Sequence, residues 1–144
     1  MAIVGFNFDK ILVERLKPIE GQVKVKPDIS IVDLKKHEVT LGSKKKEELL
    51  KFNFKFSVKY DPGIGDIIID GHILIIEEPS EMKKVLDSWK KNKEIPSELM
   101  VFVLNNALLR CNIKALSMIQ DVGLPPYIRL PTISPKSKAS DYIG

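Results

Sequence analysis

The feature that most constrains the fold is a long apolar stretch between Pro96 and Gly123. Ser97 is predicted to cap the start of a helix, and Gly123, with Pro125 close behind, to end it at Val122. One stripe at helical spacing suits packing on a sheet: Met100, Val103, Leu104, Ala107, Cys111, Ala115, Met118 and Val122. Apolar residues also occupy the other faces, among them Leu99, Phe102, Leu109, Ile113 and Leu116. A small sheet covers one side of such a helix, so we predict an oligomer whose interface includes Phe102, Leu109, Ile113 and Leu116.

Alternating residues before this helix predict strands. Phe52, Phe54, Phe56, Val58 and Tyr60 alternate with polar residues, as in a strand with one buried face. The turn residues 61–65 then lead into a second strand over residues 66–78, which predicts a β-hairpin. Residues 23–31 alternate similarly, and the proline at position 27 favours either an edge strand or a bulge at that point. The period of residues 3–16 is ambiguous between strand and helix.

A short helix is predicted between the hairpin and the long helix. Pro79 and Ser80 mark its start, with Ser80 as the N-cap, and Met82, Val85, Leu86 and Trp89 follow at helical spacing. The order of elements predicts an α+β fold, an antiparallel sheet followed by one short and one long C-terminal helix. We expect a single domain over residues 1–133, an exposed turn over residues 42–47, and a flexible Ser- and Lys-rich tail over residues 134–144.

Composition narrows the cellular setting. The single cysteine, Cys111, excludes an internal disulfide and suits a reducing compartment. The N-terminus lacks the basic start and cleavage site of a signal peptide, and we expect neither secretion nor a membrane span. These observations predict a cytoplasmic protein. Its net charge of +4 is small enough to be explained by solubility alone.

The sequence contains few candidates for chemistry. Asp70 and His72 share one face of the predicted return strand, and a small enzyme using them in an oligomer cleft is one hypothesis. A structural hydrogen-bonded pair is the favoured interpretation. Cys111 lies on the apolar stripe of the long helix, where a buried cysteine acts as a small hydrophobic residue. We therefore predict no enzyme activity, no metal and no cofactor.

Lysines form a basic stripe on the polar face of the predicted strand. Lys51, Lys55 and Lys59 share that face, and Lys24 and Lys26 could lie beside them. Such a stripe can bind backbone phosphates. The aromatic residues of the strand point to the opposite face, however, so the lysines have no stacking platform. A solvated face is favoured, and a basic nucleic-acid-binding module stays an alternative.

The order of elements resembles that of the SecB-type protein-export chaperones and their archaeal relatives. The likeness covers residues 23–133 and is best where the helix containing Ala107 and Cys111 leads through Leu124-Pro125-Pro126 to the alternating Ile128 and Leu130. The resemblance implies a four-stranded antiparallel sheet with the long helix alongside, assembled into dimers or tetramers. It also implies grooves that hold unfolded polypeptides without nucleotide hydrolysis.

From residue type and element, six aromatic residues are the candidates to line a peptide-binding groove: Phe52, Phe54, Phe56, Trp89, Phe102 and Tyr127. The bacterial relatives use acidic surface to dock the export ATPase. This chain is basic, so that partner is not carried over. The leading hypothesis is a non-enzymatic, holdase-like chaperone that binds unfolded or apolar polypeptide segments, with a link to protein export. An oligomeric scaffold without client binding is a further alternative.

Overall fold

The structure is a computed structural model that describes residues 1–42 and 45–135, apart from the side chain of residue 41. Its elements are β1 (Ala2–Arg15), β2 (Lys24–Leu41), β3 (Lys45–Asp61), β4 (Gly65–Ile76), α1 (Pro79–Asn92) and α2 (Ser97–Val122). The predicted α+β fold, with one short and one long C-terminal helix, is confirmed. Most of the tail predicted for residues 134–144 lies outside the described residues.

The four strands form one antiparallel sheet in the order β1-β4-β3-β2. β3 and β4 pair as the predicted hairpin, β2 pairs with β3, and β1 returns to pair with β4. β1 and β2 are therefore the two edges of the sheet, and within the described residues neither has a strand on its other side. The edge position predicted for the strand containing Pro27 is confirmed.

Bulges explain why β1 could not be assigned from its sequence pattern. Its register with β4 shifts between Ile3 and Gly5 and again between Phe8 and Lys10. Each bulge inserts one residue and moves the following side chains to the other face, so no single period survives along the strand.

In the hairpin formed by β2 and β3, β3 begins at Lys45, so the predicted exposed turn is shorter than expected. Residues 43 and 44 of that turn lie outside the described part of the chain.

The core lies between one face of the sheet and the two helices. The residues predicted for the buried face of β3, from Phe52 to Tyr60, are fully buried, and they are joined there by Ile67, Ile69, Ile73 and Ile75 of β4. Helix α2 contacts all four strands, whereas α1 contacts β2. The sheet is therefore covered on one side, and its second face carries mainly half-buried and exposed residues, with Leu49 as a buried exception.

The face that α2 turns toward the sheet differs in part from the predicted stripe. The buried residues recur at every fourth position: Leu99, Val103, Ala107, Cys111, Ala115 and Ile119. One turn of an α-helix contains about 3.6 residues, so residues spaced four apart are displaced by about 40° around the helix at each step. The buried row therefore winds around α2, which matches the twist of the sheet that it contacts. Four residues of the stripe were correct, but Met100 is 38% exposed and Leu99 takes its place.

The helix ends differ from the predicted caps. α1 begins at Pro79, a first-turn position where proline needs no backbone donor, with Glu78 as its N-cap. Pro96 is the N-cap of α2, and neither helix has a side-chain cap hydrogen bond. The caps predicted at Ser80 and Ser97 were therefore wrong. The predicted C-terminal end is confirmed, since Gly123 adopts the left-handed conformation with φ 72°.

Hydrogen bonds fasten the end of α2 and the following arm to the sheet. The Arg15 Nε donates to the carbonyl oxygen of Val122 at 2.8 Å. The Tyr60 hydroxyl donates to the carbonyl of Pro125 at 2.7 Å, and the Tyr127 hydroxyl donates to Asn112 Oδ1 at 2.6 Å. The proline-rich arm is thus held against both the sheet and α2.

Stability is expected to fall in alkaline solution. Burial raises the pKa of the Cys111 thiol to about 12 from 9.0, and burial raises the pKa values of Tyr60 and Tyr127 to about 12 from 10.0. Between about pH 9 and pH 12 the unfolded chain loses protons that the folded chain keeps, so the free energy of unfolding decreases as pH rises. Urea unfolding between pH 8 and pH 11 measures this effect.

Below about pH 9 these three groups are protonated in both states and contribute no pH dependence. The variant Tyr127→Phe removes one of the titrating groups and should flatten the alkaline decline. A free energy of unfolding that stays level from pH 8 to pH 11 would contradict the expectation.

Candidate functional site

The six aromatic residues predicted to line a groove do not lie together. Phe52, Phe54 and Phe56 are fully buried in the core beneath the helices, where they present no surface to a ligand in this chain. Phe102 and Tyr127 are half-buried and pack against the same core. The Tyr127 ring lies 6.0 Å from that of Phe56. Of the six, Trp89 lines the cavity of about 600 Å³ beside α1, and Phe54, although its side chain is buried, borders a smaller cavity of about 360 Å³ on the second face of the sheet.

The larger cavity is a groove between α1 and the end of the sheet. We call it the α1–β2 groove. Its apolar lining comes from Leu34 of β2 and from Pro79, Met82, Leu86 and Trp89 of α1, and its charged lining from Lys35, Lys36, Glu48, Lys83, Asp87 and Lys90. An apolar floor bordered by charged side chains suits the binding of peptide segments that carry both apolar and charged residues.

The groove extends over the free edge of β2. Leu34 and Lys36 are paired with Phe52 and Leu50 and so point toward the core face, whereas Lys35 between them points to the opposite face. All three residues line the groove. A cavity that touches both faces of one strand must reach around its edge, so the unpaired backbone groups of β2 border the groove.

Positive charge predominates in the groove, where four lysines face two carboxylates. Lys36 pairs with Glu48 at 3.2 Å, and Lys35 pairs with Asp33, outside the groove, at 3.4 Å. Among the described residues, neither Lys83 nor Lys90 has an ion-pair partner. The uncompensated charge of the groove therefore lies on α1.

The predicted interface residues divide into two groups. Leu109 and Ile113 are 61% and 63% exposed on α2, and Val101, about two turns before Leu109, is 54% exposed. Phe102 and Leu116 are half-buried against the core. We call Val101, Leu109 and Ile113 the outer row of α2.

An apolar depression joins the outer row to the free edge of β1. Ile113 lines a cavity of about 260 Å³ with Phe6 and Phe8 of β1, and the Arg110 guanidinium lies 4.5 Å from the Phe6 ring centre. Phe6 and Phe8 also pack edge to face, with ring centres 5.2 Å apart. One contiguous surface thus contains exposed apolar residues and a strand edge without a partner among the described residues.

On the second face of the sheet, His72 is paired with a residue that the sequence pattern did not indicate. His72 Nδ1 lies 2.8 Å from Asp9 Oδ2, and Asp9 sits at the β1 bulge between Phe8 and Lys10. Asn53 is directly opposite His72 on β3, and its Oδ1 atom is buried without a hydrogen-bond partner in the described part of the chain. Among residues 1–42 and 45–135, no group of three His, Cys, Asp or Glu side chains is arranged to hold a metal ion.

The lysine stripe on this face is interrupted by carboxylates. Lys55 lies opposite Asp70, and Lys59 lies opposite Asp66 on β4. Lys26 is directly opposite Lys59, as the sequence suggested, but it forms an ion pair with Asp61 at 3.6 Å. Alternating signs reduce the field that a phosphate backbone would meet.

By length and composition, α2 is the one described helix that could cross a membrane, with a mean hydropathy of 1.3 over its most apolar window. The core helix of a soluble protein passes the same test, and α2 packs along a sheet. No clear membrane span is implied.

Neither a protein-family model, nor a curated protein, nor a solved structure matches the chain. The resemblance to the SecB-type chaperones therefore stays a prediction from the sequence pattern.

Proposed function

We propose that the chain is a non-enzymatic, holdase-like chaperone that binds unfolded or apolar polypeptide segments. The observation that carries the proposal is the α1–β2 groove, which combines an apolar floor at Leu34, Met82 and Leu86 with an exposed strand edge. Apolar side chains and unpaired backbone groups are the two features that an unfolded polypeptide presents and that a folded protein hides.

The sequence pattern supports this proposal. The resemblance to export chaperones implies an antiparallel sheet followed by helices, and the fold has that architecture. Trp89 lines the groove and supplies a large aromatic surface of the kind that dominates binding energy at interfaces.

The proposal includes a homodimer formed through the surface that joins Leu109 and Ile113 of α2 to the edge of β1. Leu109 and Ile113 would be removed from water there, and β1 would gain a strand partner. Long exposed strand edges favour uncontrolled association, and covering β1 with a second copy removes that liability. The α1–β2 groove lies at the other edge of the sheet and would stay open in this dimer.

The test is suppression of aggregation. The purified full chain, without nucleotide, is mixed with chemically unfolded clients at one protomer per client, and light scattering is followed after dilution. We expect slower aggregation of several unrelated clients. The variant Trp89→Ala should need about fivefold more protein for the same effect, since truncating such an anchor costs about 1 kcal/mol or more.

The matched control is Leu16→Ala, which truncates an exposed apolar side chain that does not line the groove. It should protect as well as the unmodified chain. Unchanged aggregation of every client in the presence of the chain would refute the proposed function.

A further inference from the structure

We propose that the α1–β2 groove binds an extended polypeptide segment that adds as a fifth strand to the free edge of β2 and carries carboxylates for Lys83 and Lys90. This inference rests on the proposed function and specifies its client. It follows from three features of the groove, namely the shape of the β2 edge, the uncompensated charge on α1, and the spacing of Lys83 and Lys90 along that helix.

The edge of β2 is competent for strand addition only in its second half. Proline 27 has no backbone N–H, and the register with β3 shifts between Ile31 and Asp33, leaving Val32 as a bulge. The missing N–H of the proline and the bulge at Val32 both hinder the pairing of another strand along the first half of the edge. From Asp33 to Leu41 the ladder with β3 continues without a shift, and the groove borders this regular part at residues 34–36.

The unpaired backbone groups of β2 indicate that the occupant is a polypeptide. An added strand satisfies the unpaired N–H and C=O groups of β2, whereas a fatty acid or a nucleic acid strand cannot form such a ladder. The alternate side chains of an added strand would face the apolar floor formed by Met82, Leu86 and Trp89. Binding through the backbone also suits clients of many sequences.

The positive charge of the groove should favour polypeptide segments that carry acidic residues. Lys83 and Lys90 are seven residues apart on the face of α1 that lines the groove, which separates them by about 10 Å along the helix. That distance corresponds to about three residues of extended chain, so two acidic residues two to four positions apart can reach both ammonium groups. Asp87 lies between the lysines on the same face and forms an ion pair with neither among the described residues, so it reduces the positive charge of this face but does not cancel that of the two lysines.

The experiment measures binding of unstructured 12-residue peptides to the full chain through the fluorescence of Trp89, its single tryptophan. Three peptides share the same apolar residues and differ at two positions, which hold Glu, Gln or Lys. We expect the Glu peptide to bind about 3- to 10-fold more tightly than the Gln peptide, and the Lys peptide to bind most weakly. Raising the salt concentration should narrow the difference.

Two variants locate the charge effect. Lys83→Gln combined with Lys90→Gln should abolish the preference for Glu over Gln. The matched control, Lys10→Gln with Lys55→Gln, removes the same charge from residues that do not line the groove and should keep the preference. A preference that survives in the first variant overturns the assignment of the charge to α1.

Backbone pairing is tested with two isomers of the Glu peptide, N-methylated at odd or at even positions. In an added strand alternate N–H groups point to the partner, so one isomer should lose about 10-fold or more in affinity while the other binds normally. Equal binding of the two isomers overturns strand addition. Saturation of the groove by dodecanoate or by a single-stranded 12-nucleotide DNA, with no peptide bound, overturns it too.

The failure of this inference is distinguishable from failure of the proposed function. If the Glu, Gln and Lys peptides bind equally, the inference is wrong but the chain still holds unfolded polypeptides. If no peptide binds and no client is protected from aggregation, both are wrong.

Discussion

Replacing Leu109 and Ile113 together with aspartate is expected to convert the proposed homodimer into monomers. Both side chains are more than 60% exposed in the single chain, so the substitutions should leave the monomer fold intact. In the dimer, two carboxylates per subunit would be buried among apolar groups without partners, which costs several kcal/mol. Sedimentation velocity over a range of concentrations measures the mass of the unmodified chain and of the variant.

The control substitutes two other exposed apolar residues of the same helix, Met100→Asp with Val101→Asp. It adds the same charge at the other end of α2 and should leave the dimer intact. A double variant at Leu109 and Ile113 that sediments like the unmodified protein would exclude this interface. An unmodified chain that is monomeric at high concentration would exclude the homodimer altogether.

Truncating Phe54 to alanine is expected to destabilise the fold by about 3–5 kcal/mol, the range for a fully buried phenylalanine. The ring packs beneath the helices and lies 5.5 Å from the Phe6 ring, so its removal leaves a cavity that the surrounding strands cannot fill. Urea unfolding at a fixed protomer concentration measures the change, since assembly contributes to apparent stability.

The neighbouring variant Lys55→Ala lies on the same strand with its side chain in solvent, and it should change stability by less than about 0.5 kcal/mol. The variant Phe54→Ala distinguishes two possible roles of this residue, packing in the core and direct contact with clients. A variant that keeps its stability but loses client protection would show that Phe54 meets clients directly, contrary to its position in the core.

The sequence predicted those elements in which one pattern persists along the whole length. β3 alternates without interruption from Phe52 to Tyr60, so its buried face, its hairpin partner and its place in the core could all be derived. β1 could not be assigned, because its two bulges shift the alternation twice within one strand. The faces of α2 were predicted in part, since a straight stripe does not describe contact with a twisted sheet.

The candidate site was harder to predict because it combines distant residues and both faces of one strand. Leu34 and Lys83 are far apart in sequence, and neither belongs to a recognisable motif. Large aromatic residues suggested a groove at Phe52, Phe54 and Phe56, but aromatic residues at period two on a central strand are the ones that the helices cover. Trp89, chosen for its residue type and its place on the short helix, lines the α1–β2 groove, and its part in peptide binding stays a prediction.

The fourfold spacing of the residues that α2 buries has a consequence for assembly. The members of the outer row are eight and four residues apart, so they rotate by about 80° and 40° around the helix, and Val101 and Ile113 point about 120° apart. A second copy that covers Leu109 and Ile113 therefore leaves Val101 facing another direction. In the proposed homodimer Val101 would stay available on another side of α2, and a second contact there, which shares no residue with the first, would allow dimers to join into a larger closed assembly.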